Sequence, residues 1–279
     1  EPVVGDLWYE ADTSEVNAVV MSDGAISTDV VLTDPGALTI TDESGKCSVV
    51  GNTATCHLAS IPDGVLVDLG DMNDTYSAAS CNNCRDHVSR GSSFIEVRGG
   101  AGADTLVGSP NVDWLVGGAG NDVIRGLAGD DEIWGGSGND RLFGMAGADR
   151  FNAEATRDGA DSMHGGPGKD EASYFDREVA VRLSLDGRRN DGRSGEHDKI
   201  FSDVEHLRGG FGNDTLIGGA GNDRFVFDTA RSNALTCVVK FTSWSPTMNR
   251  WIFSSYTTMG SESPDLASAR VRPPVVKKK

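Results

Sequence analysis

Six aspartates, Asp104, Asp113, Asp122, Asp131, Asp140 and Asp149, recur at a strict nine-residue step. The stretch 99–152 divides into six units, GGAGADTLV, GSPNVDWLV, GGAGNDVIR, GLAGDDEIW, GGSGNDRLF and GMAGADRFN, each a glycine turn, an Asp and one large apolar residue. The step resumes at Asp161 and Asp170 in TRDGADSMH and GGPGKDEAS, and returns at Asp214 and Asp223 in GGFGNDTLI and GGAGNDRFV. A fixed short period marks one structural unit stacked on copies of itself. Stacking the units stacks the carboxylates, and a column of bare negative charges repels itself until something neutralises it. A hard cation with oxygen ligands meets that need, and calcium accepts the roughly 6–8 carboxylate and carbonyl oxygens that flexible turns supply.

The elements that position these carboxylates follow from the rest of the unit. The leading glycines predict tight turns, in conformations that cost other residues steric energy. The eighth position is apolar almost throughout: Leu106, Leu115, Ile124, Ile133, Leu142, Phe151, Met163, Leu216 and Phe225, with Ala172 the weak member. Positions seven and nine are mixed and often polar, so one buried side chain sits between two exposed ones, which is a three-residue strand. A second period lies inside the first. Units starting at 99, 117 and 135 begin Gly-Gly, whereas those at 108, 126 and 144 begin Gly-Ser, Gly-Leu and Gly-Met. The true repeat is therefore eighteen residues, two turns and two strands per flattened coil. Asp104, Asp122 and Asp140 then line one edge, and Asp113, Asp131 and Asp149 the other. The Gly-Gly edge, with its freer backbone, is expected to bind an ion better.

The pattern resembles the RTX, or haemolysin-type calcium-binding, repeat family, whose consensus is G-G-x-G-x-D-x-U-x with U a large apolar residue. The resemblance implies an all-β fold, a parallel β-roll of nine-residue repeats, with several Ca2+ ions between turns of coils on the same edge. It adds the carbonyls of Gly100, Gly102, Gly118, Gly120, Gly136, Gly138, Gly219 and Gly221 to the Asp ligands. Two units depart from it. Asn111 stands where the second unit should have Gly, and the unit at 156–164 has no leading glycines and is displaced by three residues. Between the repeat blocks, NDGRSGEHDKI places Asn190, Asp191, Glu196 and Asp198 within nine residues around two glycines. It is similar to a segment between repeat blocks of related RTX proteins and reads as a further calcium loop. GDMND resembles a degenerate repeat, with Asp74 at the acidic position.

Charge and composition bound the function. The net charge is −17, but residues 1–228 hold 40 acidic and 17 basic residues whereas 229–279 hold 2 and 8. The acidic part argues against nucleic acid and anionic membrane as direct partners. With 38% hydrophobic residues and 36 Gly, the chain buries too little apolar surface to offset its ordering entropy unaided, which favours metal-coupled folding. No apolar run is long enough for membrane insertion. There is no H-E-x-x-H or G-x-S-x-G spacing, so the protease and lipase sites with those motifs are absent and no catalytic residue is assigned. His197 and His206 lack partner Cys or His at zinc spacing and read as surface or packed residues.

The expected organisation has six parts. Residues 1–76 form a small N-terminal β element, with Cys47 and Cys56 flanking a hairpin that a disulfide would close. Residues 77–98 are a connector carrying Cys81 and Cys84, read as a local disulfide. The first repeat block is 99–173, and 174–208 is an intervening strand followed by the acidic loop. The second block is 209–228, and 229–279 is a poorly ordered basic tail. The expected function is calcium binding with calcium-induced folding in a secreted, extracellular bacterial protein, structural rather than enzymatic. The absence of Met before Glu1 fits a removed signal peptide. The competing readings are an accessory or C-terminal part of an exported hydrolase, and a calcium-dependent adhesin or surface-layer protein with a carbohydrate or cell-surface partner.

Overall fold

A computed structural model describes residues 7–10, 16–23, 29–33, 40–42, 47–50, 53–57, 64–81, 94–219, 223–226, 235–239 and 255–259. Among these residues there are strands and turns but no helix. The core is the two-sheet parallel roll that the nine-residue period predicts.

The first ten-stranded sheet contains, in neighbouring order, Arg224–Val226, His206–Arg208, Glu171–Ser173, Arg150–Asn152, Glu132–Ser137, Asp113–Ala119, Phe94–Ala101, Gly64–Asp68, Leu7–Glu10 and Ile40–Asp42. The second begins Lys199–Ile200, Ser162–His164, Arg141–Ala146, Val123–Ala128, Thr105–Val107, Thr75–Ser80 and Ala18–Asp23. Consecutive units alternate between the sheets, so the chain winds as a flattened coil. The register matches the eighteen-residue repeat: Leu106 pairs with Ile124 and Ile124 with Leu142 in one sheet, Leu115 with Ile133 and Ile133 with Phe151 in the other.

The position-eight side chains form the core between the sheets. Leu106, Leu115, Ile124, Ile133, Leu142, Phe151, Met163, Ala172, Leu216 and Phe225 are all buried. Every other side chain along each short strand turns outward, as strand geometry requires.

The coil absorbs two irregularities. After Asp140 and Asp149 the step lengthens by three residues, so that Leu142 pairs with Met163 and Phe151 with Ala172. The larger insertion, 174–208, returns to the same stack. Lys199–Ile200 pairs in parallel with Ser162–Met163, and His206–Arg208 with Glu171–Ser173. The inserted strand Val181–Ser184 lies parallel to Thr215–Ile217 in a separate three-stranded sheet.

The N-terminal strands extend both sheets of the roll. Leu7–Glu10 pairs in parallel with Gly64–Asp68, which pairs with Phe94–Ala101, while Ala18–Asp23 pairs with Thr75–Ser80, which pairs with Thr105–Val107. Beyond them the pairing turns antiparallel, including the hairpin Cys47–Val50 with Thr53–His57, in which Cys47 lies opposite Cys56. Cys81 is disulfide-bonded. Cys84 lies outside the described residues, as does most of the 229–279 tail, where Leu235–Val239 and Ser255–Met259 form an antiparallel pair.

Candidate metal centre

The aspartates form two hydrogen-bonded ladders, one on each edge of the coil. On the Gly-Gly edge each Asp donates its backbone N–H to Oδ1 of the equivalent Asp one coil further on. The distances are 2.7 Å for Asp74 to Asp104, 2.7 Å for Asp104 to Asp122, 2.8 Å for Asp122 to Asp140, 2.8 Å for Asp140 to Asp161 and 3.0 Å for Asp161 to Asp198. The other edge runs Asp113 to Asp131 at 2.9 Å, Asp131 to Asp149 at 3.0 Å, Asp149 to Asp170 at 2.9 Å and Asp170 to Glu205 Oε2 at 3.0 Å. From Asp104 on one edge and Asp131 on the other, one oxygen of each carboxylate therefore ties successive coils together.

The second oxygen is spare. Oδ2 of Asp104, Asp122, Asp131, Asp140, Asp149, Asp170 and Asp214 is buried and has no hydrogen-bond partner. A buried carboxylate oxygen left unpaired is costly, and here it recurs at equivalent positions, coil after coil. The first glycine of each unit makes room for it: a Cβ on Gly99 would lie 2.6 Å from Asp104 Oδ2, and one on Gly135 2.5 Å from Asp140 Oδ2. The later glycines bring carbonyls between coils. Gly118 (φ 111°) and Gly120 (φ 151°) are left-handed, and a Cβ on either would strike the carbonyl oxygens of Gly100 and Gly102 in the preceding coil. Stacked carbonyls beside stacked, unpaired carboxylate oxygens are the donor set of a hard divalent cation, so the residues present fit calcium.

Two units of the second edge reach the backbone conformation of the Gly-Gly edge. Leu127 (φ 84°) and Met145 (φ 77°) occupy the position of the second glycine and are left-handed as well. The Gly-Leu and Gly-Met units thus carry strain, about 1–2 kcal/mol per residue, that the Gly-Gly units avoid.

Electrostatics reports the same unmet need. Burial pushes Asp104 and Asp149 up to about 6, Asp113, Asp140 and Asp170 to about 7, and Asp131 to about 8. Neighbouring carboxylates add to the rise at Asp104, Asp131 and Asp140. Burial therefore favours the protonated form of these groups over that of a free aspartate, a bias that a positive charge placed beside them would reverse.

The insertion solves the problem differently. Asp158, Glu196 and Asp198 are all buried, with ligand oxygens within 4.8 Å of one another. Between them lies Arg177, fully buried, donating from Nη2 to Asp158 Oδ1 at 2.7 Å and from Nη1 to Glu196 Oε1 at 2.9 Å. Burial alone would lower the Arg177 pKa, but Asp158 and Glu196 outweigh it and hold it above the ordinary value. The remaining oxygens are largely used. Glu196 Oε2 accepts the Arg193 N–H at 2.7 Å, Asp198 Oδ2 accepts the Tyr174 hydroxyl at 2.8 Å and Asp158 Oδ2 accepts the Glu154 N–H at 3.2 Å.

Several expected site residues are placed apart from the open ladder. Asp113 Oδ2 accepts the Ser109 N–H at 2.6 Å and Oδ1 the Ser109 hydroxyl at 3.3 Å, so its own turn satisfies it. Asp191 binds the Ser184 hydroxyl at 2.8 Å, the Ile200 N–H at 3.2 Å and Arg182 at 3.4 Å, outside the Asp158–Glu196–Asp198 cluster. Asp214 accepts the Val181 N–H at 3.0 Å through Oδ1 and leaves Oδ2 unpaired. Asp223 is raised by burial, with the Gly219 N–H as a hydrogen-bond partner. Gly221 lies outside the described residues. Sequence reasoning did not find Asp158, Arg177 or Glu205. Glu205 was findable, because Glu205 and Leu207 keep the acid-x-apolar phase of the repeat.

The family model of the RTX calcium-binding nonapeptide repeat matches residues 96–124, 107–142, 116–151, 125–158, 134–172 and 201–229. No curated protein matches the sequence.

Proposed function

From a chain that carries RTX calcium-binding nonapeptide repeats over 96–172 and 201–229, and so binds calcium, we propose a calcium-folded scaffold of an exported bacterial protein. Asp104, Asp122, Asp140 and Asp161 on one edge, and Asp131, Asp149 and Asp170 on the other, hold ions between successive coils with the turn carbonyls. Gly100, Gly102, Gly118, Gly120, Gly136 and Gly138 supply those carbonyls on the first edge. Asp214 and Asp223, with the Gly219 carbonyl, do the same in the second block. The observation that carries this reading is the row of buried, unpaired Oδ2 atoms at equivalent positions in successive coils.

Bound calcium supplies the positive charge that lets these carboxylates ionise together. The chain contributes the rest: Oδ1 ties each coil to the next, the first glycine of each unit leaves room for Oδ2, and position eight buries the apolar core. The role is structural and not catalytic. Low calcium inside a cell and high calcium outside would place folding after export.

The test is far-ultraviolet circular dichroism of the full chain during a calcium titration, with magnesium as control. A cooperative gain of β structure with calcium alone is expected. A spectrum already folded in chelator, and unchanged by calcium, overturns the reading.

A further inference from the structure

The insertion holds a second kind of site. A cleft of about 470 Å³ opens where the Val181–Ser184 strand meets the 189–197 turn, with Thr215 on its far side. That volume falls within the range of small-molecule sites, roughly 300–1,000 Å³. Three arginines line it, Arg182, Arg189 and Arg193, together with His197. Its one acid, Asp191, is buried and already accepts from Arg182 and Ser184. Among the described residues neither Arg189 nor Arg193 has an ion pair, and both are exposed. Arg157 reaches the same rim, donating to the Gly195 carbonyl.

This concentration of positive charge stands in a chain of net charge −17. Guanidinium groups lining one cleft suit carboxylate, sulfate and phosphate oxygens, which they can bind in bidentate fashion. Asp191, expected as a calcium ligand from NDGRSGEHDKI, faces this cleft, whereas Glu196 and Asp198 lie in the buried acidic cluster with Asp158. Arg182 is fixed in place by Asn190, Ser184 and Asp191, which gives the cleft one anchored cation beside two exposed ones.

We propose that this cleft binds an oxyanion-bearing ligand, either a free oxyanion or the acidic group of a saccharide, through Arg182, Arg189 and Arg193. This site is separate from the ladder and does not depend on which aspartates hold calcium.

Isothermal titration calorimetry of the calcium-loaded full chain tests it, with sodium sulfate, sodium D-glucuronate and uncharged glucose as titrants. Sulfate, glucuronate or both should bind, and glucose should not. The exposed double substitution Arg189→Ala/Arg193→Ala should weaken anion binding at least tenfold and leave the calcium-folded circular dichroism spectrum intact. Arg141→Ala, on the outer face of the roll, should leave affinity unchanged. Sulfate bound as tightly as glucuronate assigns a free-oxyanion site, and tighter glucuronate assigns an acidic saccharide. Failure of both anions to bind, equal binding of glucose, or parental affinity in the double variant overturns the proposal.

Discussion

The regular ladder at 104–149 and the insertion cluster around Arg177 bury carboxylates on the edges of the same coil, but they neutralise them from different sources. In the ladder, Oδ2 of Asp104, Asp122 and Asp140 meets no donor of the chain. In the cluster, Arg177 bridges Asp158 and Glu196, and Tyr174 donates to Asp198. On the proposed reading the first region takes its cation from solution, whereas the second carries its cation covalently. Calcium dependence would then be a local property of the rungs, set by whether a donor of the chain reaches Oδ2.

The largest expected effect of that difference is on removing calcium. A site that binds calcium only in the folded state contributes about 4 kcal/mol when calcium exceeds its Kd ~1,000-fold, and the ladder stacks several such sites. In chelator, amide hydrogen exchange should lose protection throughout 105–152. Strands flanking Arg177, such as Val181–Ser184, should keep more of it, because stacked repeats are stabilised mainly by their nearest neighbours. Equal loss in both regions would break the comparison, since the cluster would then have no stability of its own.

Next comes Arg177→Met. It leaves Asp158 and Glu196 buried with no counter-charge, and breaking a buried ion pair in this way costs about 3–5 kcal/mol. Urea unfolding in saturating calcium should show that loss. Adding Asp158→Asn and Glu196→Gln should recover much of it, because neutral amides remove the repulsion. A single variant as stable as the parent would mean that the cluster admits another cation in place of the guanidinium.

Much of the ladder was legible in the sequence; of the cluster only Glu196 and Asp198 were, as members of the acidic loop. A strict period with one apolar residue in fixed phase determines strand, face and register at once, so Leu106, Leu115 and Ile124 fall in the core as expected. Asp74 also takes its place as a rung, because GDMND keeps the spacing even after losing most of its glycines. Arg177 and Asp158 carry no such signal. They meet because the chain leaves the coil after Ser173 and returns at Lys199, and spacing along the sequence says nothing about who meets across that excursion. The N-terminal strands were hidden for the same reason. Alternation in 16–20 and 65–69 marks strands but not their partners, and one partner of each is more than 50 residues away.

Acidity should separate calcium-free from calcium-bound protein. In the calcium-free fold Asp104, Asp140 and Asp131 are pushed up to about 6, 7 and 8 from an ordinary value of 3.8. Between pH 4 and 8, roughly, the folded chain then binds more protons than the unfolded one, so its stability falls as pH rises. β structure in chelator should accordingly increase as pH is lowered from 8 towards 5. Calcium reverses the sign, because it binds the deprotonated carboxylates and releases their protons. Calcium affinity should weaken over the same descent, and a chelated chain equally unfolded at pH 5 and 8 would contradict the burial of the ladder.

The smallest effect sharpens the comparison within a single edge. Asp113 and Asp131 are successive rungs joined by a hydrogen bond of 2.9 Å. Ser109 donates to both oxygens of Asp113, whereas Asp131 keeps Oδ2 unpaired. Asp131→Asn keeps an acceptor oxygen for the Asp113 N–H, and Asp113→Asn keeps one for the Ser109 N–H while its amide can donate to the Ser109 hydroxyl, so the substitutions differ mainly in whether a spare, charged oxygen is lost. Asp131→Asn should weaken calcium binding about tenfold, or ~1.4 kcal/mol. Asp113→Asn should change it less than about threefold, ~0.6 kcal/mol on the same scale. Matched losses in a calcium titration would show that Ser109 releases Asp113 when the ion arrives. An unequal pair would establish that one serine in the turn is enough to take a rung out of the calcium set.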